Sequence, residues 1–307
     1  MSTAFDPSVD IPALNGKVIL ITGANAGLGK QAAIDLTKHS PALILMTSRD
    51  ESRGQAALEQ VKATATKGTR VALVHLNLAS FASIKQAAQT VMSQTDRLDV
   101  LNLNAGILGA PAGLTEEGYE ITMGVNHVGH ALLLKLLTPL LEATSTSTGT
   151  PSRVLSISSV GWKYLEQPVI NFDALHTPDA GLASMQRYMQ SKLANVLYAR
   201  EFAKRHPTLK IVSLHPGEAD TELYSREPGD DFVVYLQKEV APKHVVPLSE
   251  GVKHELWAMT VVDEKLDNGA YYEPIGVKGL LEKAAADNEL AAKLWDWTDK
   301  EIDGHGL

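Results

Sequence analysis

Tyr188 and Lys192 stand four residues apart in Ser184–His206, a stretch whose apolar spacing predicts a helix, so both side chains project from one face. An ammonium beside a phenol stabilises the phenolate. Bringing a tyrosine from about 10 towards neutrality takes about 4 kcal/mol of differential stabilisation, which a neighbouring Lys and a second cation can supply in a dry site. A phenol tuned in this way gives or takes a proton near pH 7. The spacing also arises by chance in a chain with eight tyrosines, so its weight comes from the groups found with it. Ser158 and Ser159 follow the predicted strand Arg153–Ile157, at the carboxyl edge where open α/β sheets bind ligands, and a hydroxyl there can donate to a substrate oxygen. Asn126, inside a predicted helix over Tyr119–Leu141, can bond backbone or water and link Lys192 to solvent, although a mid-helix Asn serves as often at the surface or in packing. His127 and His130 have a spacing seen in metal sites. No carboxylate or third His accompanies them, so packing or surface roles are expected and no metal site is assigned.

A second constellation lies near the start of the chain. Thr22-Gly23-Ala24-Asn25-Ala26-Gly27-Leu28-Gly29 closes the apolar run Val18–Thr22 and opens a helical pattern over Leu28–His39, placing three glycines where a strand turns into a helix. Glycine admits positive φ and close approach of a pyrophosphate, while the helix N-terminus adds unsatisfied N–H donors and partial positive charge. The expected ligand is anionic. A triphosphate-binding loop is excluded, because Ala24 stands where its first Gly belongs and Gln31 where its Ser or Thr belongs. Nor is the spacing Gly-x-Gly-x-x-Gly; a purely structural Gly-rich turn is the competing reading, weakened by the strand before and the helix after. About 20 residues on, an acidic side chain normally accepts both ribose hydroxyls of NAD. Here the chain has Thr47-Ser48-Arg49. Ser48 cannot repel a phosphate and Arg49 offers one a fork of donors, which favours NADP; Asp50 opposes that reading, and a solvated loop cation is the bland alternative.

These groups need a scaffold, and the hydrophobic pattern supplies one. Apolar runs at Ala42–Thr47, Val71–His75, Leu98–Leu103, Arg153–Ile157 and Leu209–Leu214 alternate with helical segments around Gln55–Ala65, Phe81–Gln94, Tyr119–Leu141 and Ser184–His206. Strands separated by helices imply parallel pairing and right-handed crossovers: an α/β fold, a single doubly wound Rossmann-type parallel sheet with helices on both faces. No linker interrupts it, so residues 1–307 are expected to form one dinucleotide-binding catalytic domain with a loose arm at 1–16, a substrate lid at 222–248 and a C-terminal helix at 287–303. The Ser/Thr run Thr144–Pro151 is expected to be an exposed loop. Trp295 and Trp297 fit an amphipathic terminal helix docking on the domain.

Composition removes other classes. With 44% hydrophobic and 21% charged residues the chain is globular, and a net charge of −8 with scattered basic residues makes nucleic acid an unexpected partner. Zero cysteine excludes disulfides, thiolate zinc sites and Cys nucleophiles, and no Asn-x-Ser/Thr sequon is present. The first residues lack a basic and apolar leader pattern, and Ala131–Ala143, interrupted by Lys135 and Pro139, is far short of the roughly 20 apolar residues of a membrane span. A cytoplasmic location is expected.

Taken together the motifs resemble the short-chain dehydrogenase/reductase family. The matches run in family order over about 200 residues: the Thr22–Gly29 turn, Asn104-Ala105-Gly106, Asn126, Ser159, Tyr188 with Lys192, and Pro216-Gly217 with Thr221. The resemblance implies that Tyr188 is the general acid/base, that Lys192 lowers its pKa and binds nicotinamide ribose, that Ser159, the second of the serine pair, polarises the carbonyl, and that Asn126 holds a relay water. It implies that Asn104 to Gly106 border the adenosine side of the cofactor, that Asn77 and Leu78 stand at the adenine, and that Pro216 to Thr221 embrace the nicotinamide. Departures occur at Asn77, where the family often has Asp, and at Leu103, where it has a second Asn. The long stretch between Ser159 and Tyr188, with Trp162, Tyr164, Phe172 and His176, is similar to the retinol-dehydrogenase-like and WW-domain-oxidoreductase-like branch, and the C-terminal features resemble fungal members. Unlike membrane-anchored relatives, the chain shows no hydrophobic N-terminal anchor.

The expected function is NADPH-dependent reduction of a ketone or aldehyde, reversible as alcohol oxidation, on a hydrophobic small molecule of the kind used in secondary metabolism; Phe232, Val233, Val234 and Tyr235 in the lid suit a bulky carbonyl compound. An NADP-binding sensor without turnover and a non-redox isomerase or cyclase built on the same site are the alternatives. Family members form dimers and tetramers and some relatives are monomers, and nothing in this sequence decides among them, a homodimer or homotetramer included.

Overall fold

The apolar runs of the sequence pair as strands of one sheet. A computed structural model describes residues 4–165, 170–221, 234, 238–239 and 245–307. Its strands are β1 (Val18–Ile21), β2 (Leu43–Ser48), β3 (Arg70–His75), β4 (Val100–Leu103), β5 (Arg153–Ile157), β6 (Lys210–Leu214), β7 (Tyr271–Glu273) and β8 (Val277–Lys278). Across the sheet the order is β3-β2-β1-β4-β5-β6-β7-β8, parallel except for β8. Parallel strands covered on both faces are apolar throughout, and all residues of β1, β2 and β4 are buried. Val18 and Leu20 face one core while Ile19 and Ile21 face the other, as the two-residue period of a strand requires.

The helices are α1 (Pro7–Asp10), α2 (Gly27–Thr37), α3 (Glu51–Lys62), α4 (Phe81–Gln94), α5 (Ile121–Met123), α6 (Gly129–Thr148), α7 (Ser184–Arg205), α8 (Leu248–Gly251), α9 (Lys253–Thr260) and α10 (Asn288–Glu301). Buried residues of α4, α6, α7 and α10 share one core, and those of α2, α3 and α9 share the other. Strand β1 pairs with β2 on one side and β4 on the other, so the connections leaving β1 and β4 diverge and open a crevice at the carboxyl ends of the strands.

Three expectations about the elements meet the structure. The N-terminal arm is not loose: Asp6 accepts from Ser8 N at 2.9 Å to cap α1, and Phe5, Ile11 and Leu14 are buried in the core beneath α2 and α9. The Ser/Thr run is not a surface loop up to Thr148, because α6 continues through it. Its hydroxyls turn back onto the helix, Thr144 Oγ1 to the Leu140 carbonyl at 2.8 Å and Ser145 Oγ to that of Leu141 at 3.0 Å, until Gly149 ends the helix at φ +67°. The terminal helix docks as expected, with Leu294 buried and Trp295 stacked on Tyr198 at 4.8 Å between centroids. Most of the expected lid, including Phe232, Val233 and Tyr235, lies outside the described residues. No helix among the described residues is long and apolar enough to cross a membrane.

Candidate active site

The chain leaves β1 at Thr22 and must reverse into α2 within five residues. Gly23 and Gly27 make the reversal at φ +68° and +53°, in the left-handed region that side chains disfavour. Gly29 is required for space instead: a Cβ there would lie 2.5 Å from Asn104 Nδ2 and 2.9 Å from the Gly23 carbonyl oxygen. The buried Thr22 ties this turn to the exit of β4, its carbonyl accepting from Asn104 Nδ2 at 2.7 Å and its Oγ1 from Ala105 N at 2.9 Å. Thr47, at the end of β2, accepts from Gly23 N at 3.1 Å. Ala26, the N-cap of α2, brings no capping side chain, so the first N–H groups of the helix are left to a ligand. A cradle that a Cβ would fill, opening on an uncapped helix end, fits a dinucleotide pyrophosphate. Gly29→Ala is therefore expected to weaken binding of the nicotinamide dinucleotide about tenfold or more in calorimetric titration, since the obstructing Gly23 carbonyl is main chain. An unchanged affinity would remove the phosphate from this turn.

The crevice above the turn has a volume of about 470 Å³. Of the residues singled out in the sequence, Gly23, Asn25, Gly27, Leu28, Ser48, Arg49, Asp50, Asn77, Leu78, Asn104, Ala105, Gly106, Ser158, Tyr188, Lys192, Pro216 and Thr221 line it. Gly29, Asn126, Ser159 and Gly217 do not line it. Thr221 closes on the glycine turn, its Cγ2 3.4 Å from the position a Gly27 Cβ would take. Asp50 turns out to be committed: its carboxylate caps α3 by accepting from Arg53 N at 2.9 Å, while Ser48 Oγ donates to its carbonyl at 2.6 Å. Arg53 lines the crevice beside Arg49 and was missed by the sequence reading, although an Asp N-cap followed by an Arg three residues on does place that side chain one turn from the strand end.

Tyr188 and Lys192 project together from α7, the ammonium 5.5 Å from the phenol ring centroid. Lys192 Nζ donates to the Ile157 carbonyl at 2.9 Å at the end of β5. Burial pushes its pKa down to about 8, against the attraction of Glu255. Glu255 itself, buried on α9 and accepting from Asn102 Nδ2 at 2.8 Å, is pushed up to about 7 by burial. Asn126 lies in a π-helical turn, Gly124–Val128, between α5 and α6. Its Oδ1 accepts from Ile107 N at 2.8 Å, and both amide hydrogens are taken, by the Ile107 carbonyl at 3.0 Å and Ser191 Oγ at 2.9 Å. The side chain is thus a clamp on the chain leaving β4, and a relay water could meet it only as a donor to Oδ1. Between the clamp and the ammonium passes Gly106, whose absent Cβ would lie 3.3 Å from Asn126 Oδ1 and 3.5 Å from Lys192 Nζ.

The two serines separate cleanly. Ser158 Oγ donates to the Lys192 carbonyl at 2.7 Å and is committed to α7. Ser159 Oγ accepts from Gly161 N at 3.1 Å, and a Cβ on Gly161 would sit 3.3 Å from that hydroxyl and 3.9 Å from Tyr188 Cε1, so hydroxyl and ring flank one point. His127 and His130 are packing residues as expected, bonded to Thr298 Oγ1 at 2.8 Å and Thr22 Oγ1 at 3.0 Å, with burial pushing their pKa values down to about 3 and about 4.

A doubly wound sheet with a glycine turn at its switch point and a Tyr/Lys pair at the carboxyl edge defines a dinucleotide-dependent oxidoreductase framework. The chain belongs to the short-chain dehydrogenase family, whose short chain dehydrogenase profile matches residues 17–230. It is 33% identical over 298 residues to an uncharacterised oxidoreductase of Schizosaccharomyces pombe, covering 95% of this chain and 86% of that protein. It is 34% identical to human retinol dehydrogenase 13, covering 91% of this chain and 82% of that protein. Among solved structures, an uncharacterised protein from Mycobacterium paratuberculosis superposes with a TM-score of 0.73 at 26% identity, covering 97% of both chains.

Proposed function

We propose that the protein reduces a ketone or aldehyde with NADPH, the reverse direction being alcohol oxidation, and that it does so as a cytoplasmic enzyme on a hydrophobic small molecule. The observation that carries this reading is the placement of Tyr188 and Lys192, side by side on α7, at the crevice headed by the glycine turn. Gly23, Asn25, Gly27, Leu28 and Gly29 would hold the pyrophosphate, Ser48 and Arg49 the 2′-phosphate, Asn77 and Leu78 the adenine, Asn104 to Gly106 the adenosine side, and Pro216, Gly217 and Thr221 the nicotinamide. When bound, the nicotinamide supplies the hydride. Tyr188 donates its proton to the carbonyl oxygen, Lys192 stabilises the phenolate left behind, and Ser159 gives a hydrogen bond to the same oxygen as its charge develops. Asn126 acts by holding Gly106 and Ile107 against Lys192. Similarity to retinol dehydrogenases supports an apolar substrate.

A panel of carbonyl compounds assayed with NADPH and NADH in parallel tests the reading. Turnover with NADPH is expected, and Arg49→Gln should reduce the NADPH-over-NADH ratio of kcat/KM about tenfold by removing one charge-assisted contact. A wild-type preference for NADH overturns the role of Arg49; saturable NADPH binding with no turnover on any carbonyl overturns the enzyme.

A further inference from the structure

Next to Tyr188 on α7 lies an ion pair that the chemistry above does not use. Arg187 and Glu120 are 3% and 0% exposed, with Arg187 Nη1 3.4 Å from Glu120 Oε1. Their other contacts go to main chain. Arg187 Nη1 donates to the Pro178 carbonyl at 3.1 Å and Nη2 to the Ala110 carbonyl at 2.7 Å. Glu120 accepts from Thr122 N at 2.9 Å and Met123 N at 2.7 Å, capping the helix that runs into the π turn of Asn126. Its own N–H donates to the Leu175 carbonyl at 2.7 Å, and Gly113 N donates to the Pro178 carbonyl at 2.9 Å. Four segments therefore meet at one buried pair: the loop 107–113 that leaves the crevice at Ile107, the helix cap ahead of Asn126, the segment 170–182, and the first turn of α7.

Stability alone does not account for this choice, because well-packed apolar side chains commonly match or exceed a buried ion pair. What they cannot reproduce is one planar fork holding two carbonyls from different segments in fixed directions. The first of these segments starts at the crevice, where Ile107 stands in the lining with Tyr188. Loop 107–113 follows Gly106, which passes beside Lys192, and is held at Ala110 by Arg187, while the segment 170–182 is bonded to α7 at Arg187 through Pro178 and at Gln190 through Asn171 N, 3.3 Å from Gln190 Oε1, the residues one before and two after Tyr188 in the chain.

We propose that the Arg187–Glu120 pair is a positioning device for the substrate: it fixes loop 107–113 and segment 170–182 as a wall beside Tyr188 and so sets how large a carbonyl compound can present its oxygen to the phenol. The proposal rests on Tyr188 being the proton donor. Arg187→Lys keeps the charge and removes the fork, and the pair Glu120→Gln with Arg187→Met removes both charges, so that one folded variant is available if single neutral variants are not. For a bulky ketone, KM is expected to rise at least tenfold in both variants, with kcat for a small aldehyde within threefold and NADPH affinity within twofold of wild type. Amide hydrogen exchange should accelerate at least tenfold in 107–113 and 170–182 and nowhere else around the crevice. The neutral double variant should recover the melting temperature without recovering the KM for the bulky ketone; recovery of both would make the pair merely structural and overturn the proposal. Equal losses for small and bulky substrates, or unaltered exchange in the two segments, would do the same. If wild type consumes NADPH with no carbonyl at all, the enzymatic reading fails separately, and the exchange measurement still decides whether the pair fixes the wall.

Discussion

Tyr188→Phe is expected to lower kcat for carbonyl reduction by about 10³-fold while leaving NADPH affinity within twofold of wild type. General acid–base catalysis by a positioned side chain is worth about 10²–10⁴-fold, and this site offers a water-poor setting in which the upper part of that range is reached. Phe preserves the ring of Tyr188, a residue only 7% exposed, so the fold around Lys192 and the glycine turn is kept. Only the proton is lost. A stopped-flow assay following NADPH absorbance separates the outcomes, since binding and turnover are read from one trace. Turnover at the wild-type rate would assign the proton to another donor, and a parallel loss of cofactor affinity would make the phenol a binding group. The geometry favours the proton role: Tyr188 lines the crevice beside Lys192, and the Ser159 hydroxyl and the Tyr188 ring flank one point.

The parts of this site that are close together in the chain were legible before any coordinates. A turn of eight residues, Thr22 to Gly29, and a pair four residues apart on one helix depend on local backbone periodicity, and so do the alternating strands and helices that place them. The contacts that finish the site are not local. Asn126 reaches Ile107 and Ser191, 19 and 65 residues away, and Asn102 reaches Glu255 across 153. No pattern in a single sequence announces such pairs, because a buried Glu or Arg has the same letter as a solvated one. The same physics explains the errors at the edges. Phe5, Ile11 and Leu14 have no helical or strand period, so their burial under α2 and α9 is a tertiary outcome. The Ser/Thr tail of α6 contradicts helix propensity, and it stays helical because Thr144 Oγ1 and Ser145 Oγ also accept from Leu98 N and Ser152 N, both at 2.8 Å, anchoring the tail to the segments that enter β4 and β5. Asn126, read as mid-helix, sits where the helix widens into a π turn, the kind of interruption that recurs at functional sites.

Lys192→Met should separate catalysis from stability in the opposite sense to most core substitutions. Burial holds the folded-state pKa of Lys192 at about 8, below the ordinary 10.5 that applies to the unfolded chain. Below pH 8 both states keep the proton, and the folded chain bears the whole burial penalty, about 3 kcal/mol for a depression of this size. Between pH 8 and 10.5 the unfolded chain binds more protons than the folded one, so wild-type stability contributed by Lys192 rises with pH across that window. Met fills the space without the charge; the variant should melt at or above the wild-type temperature at pH 7 and lose the rise above pH 8. Activity should move the other way. The ammonium that supports the phenolate exists only below about pH 8, so wild-type kcat/KM is expected to fall on the alkaline side, and Lys192→Met should run about 10²-fold slower at pH 7 with that alkaline limb gone. Thermal melts at pH 7 and 10 alongside a pH–rate profile decide the matter. A limb that survives unchanged in the variant belongs to another group, and a variant that melts well below wild type at pH 7 would mean that the bond to the Ile157 carbonyl, not the tuning of the phenol, is what keeps this ammonium inside the protein.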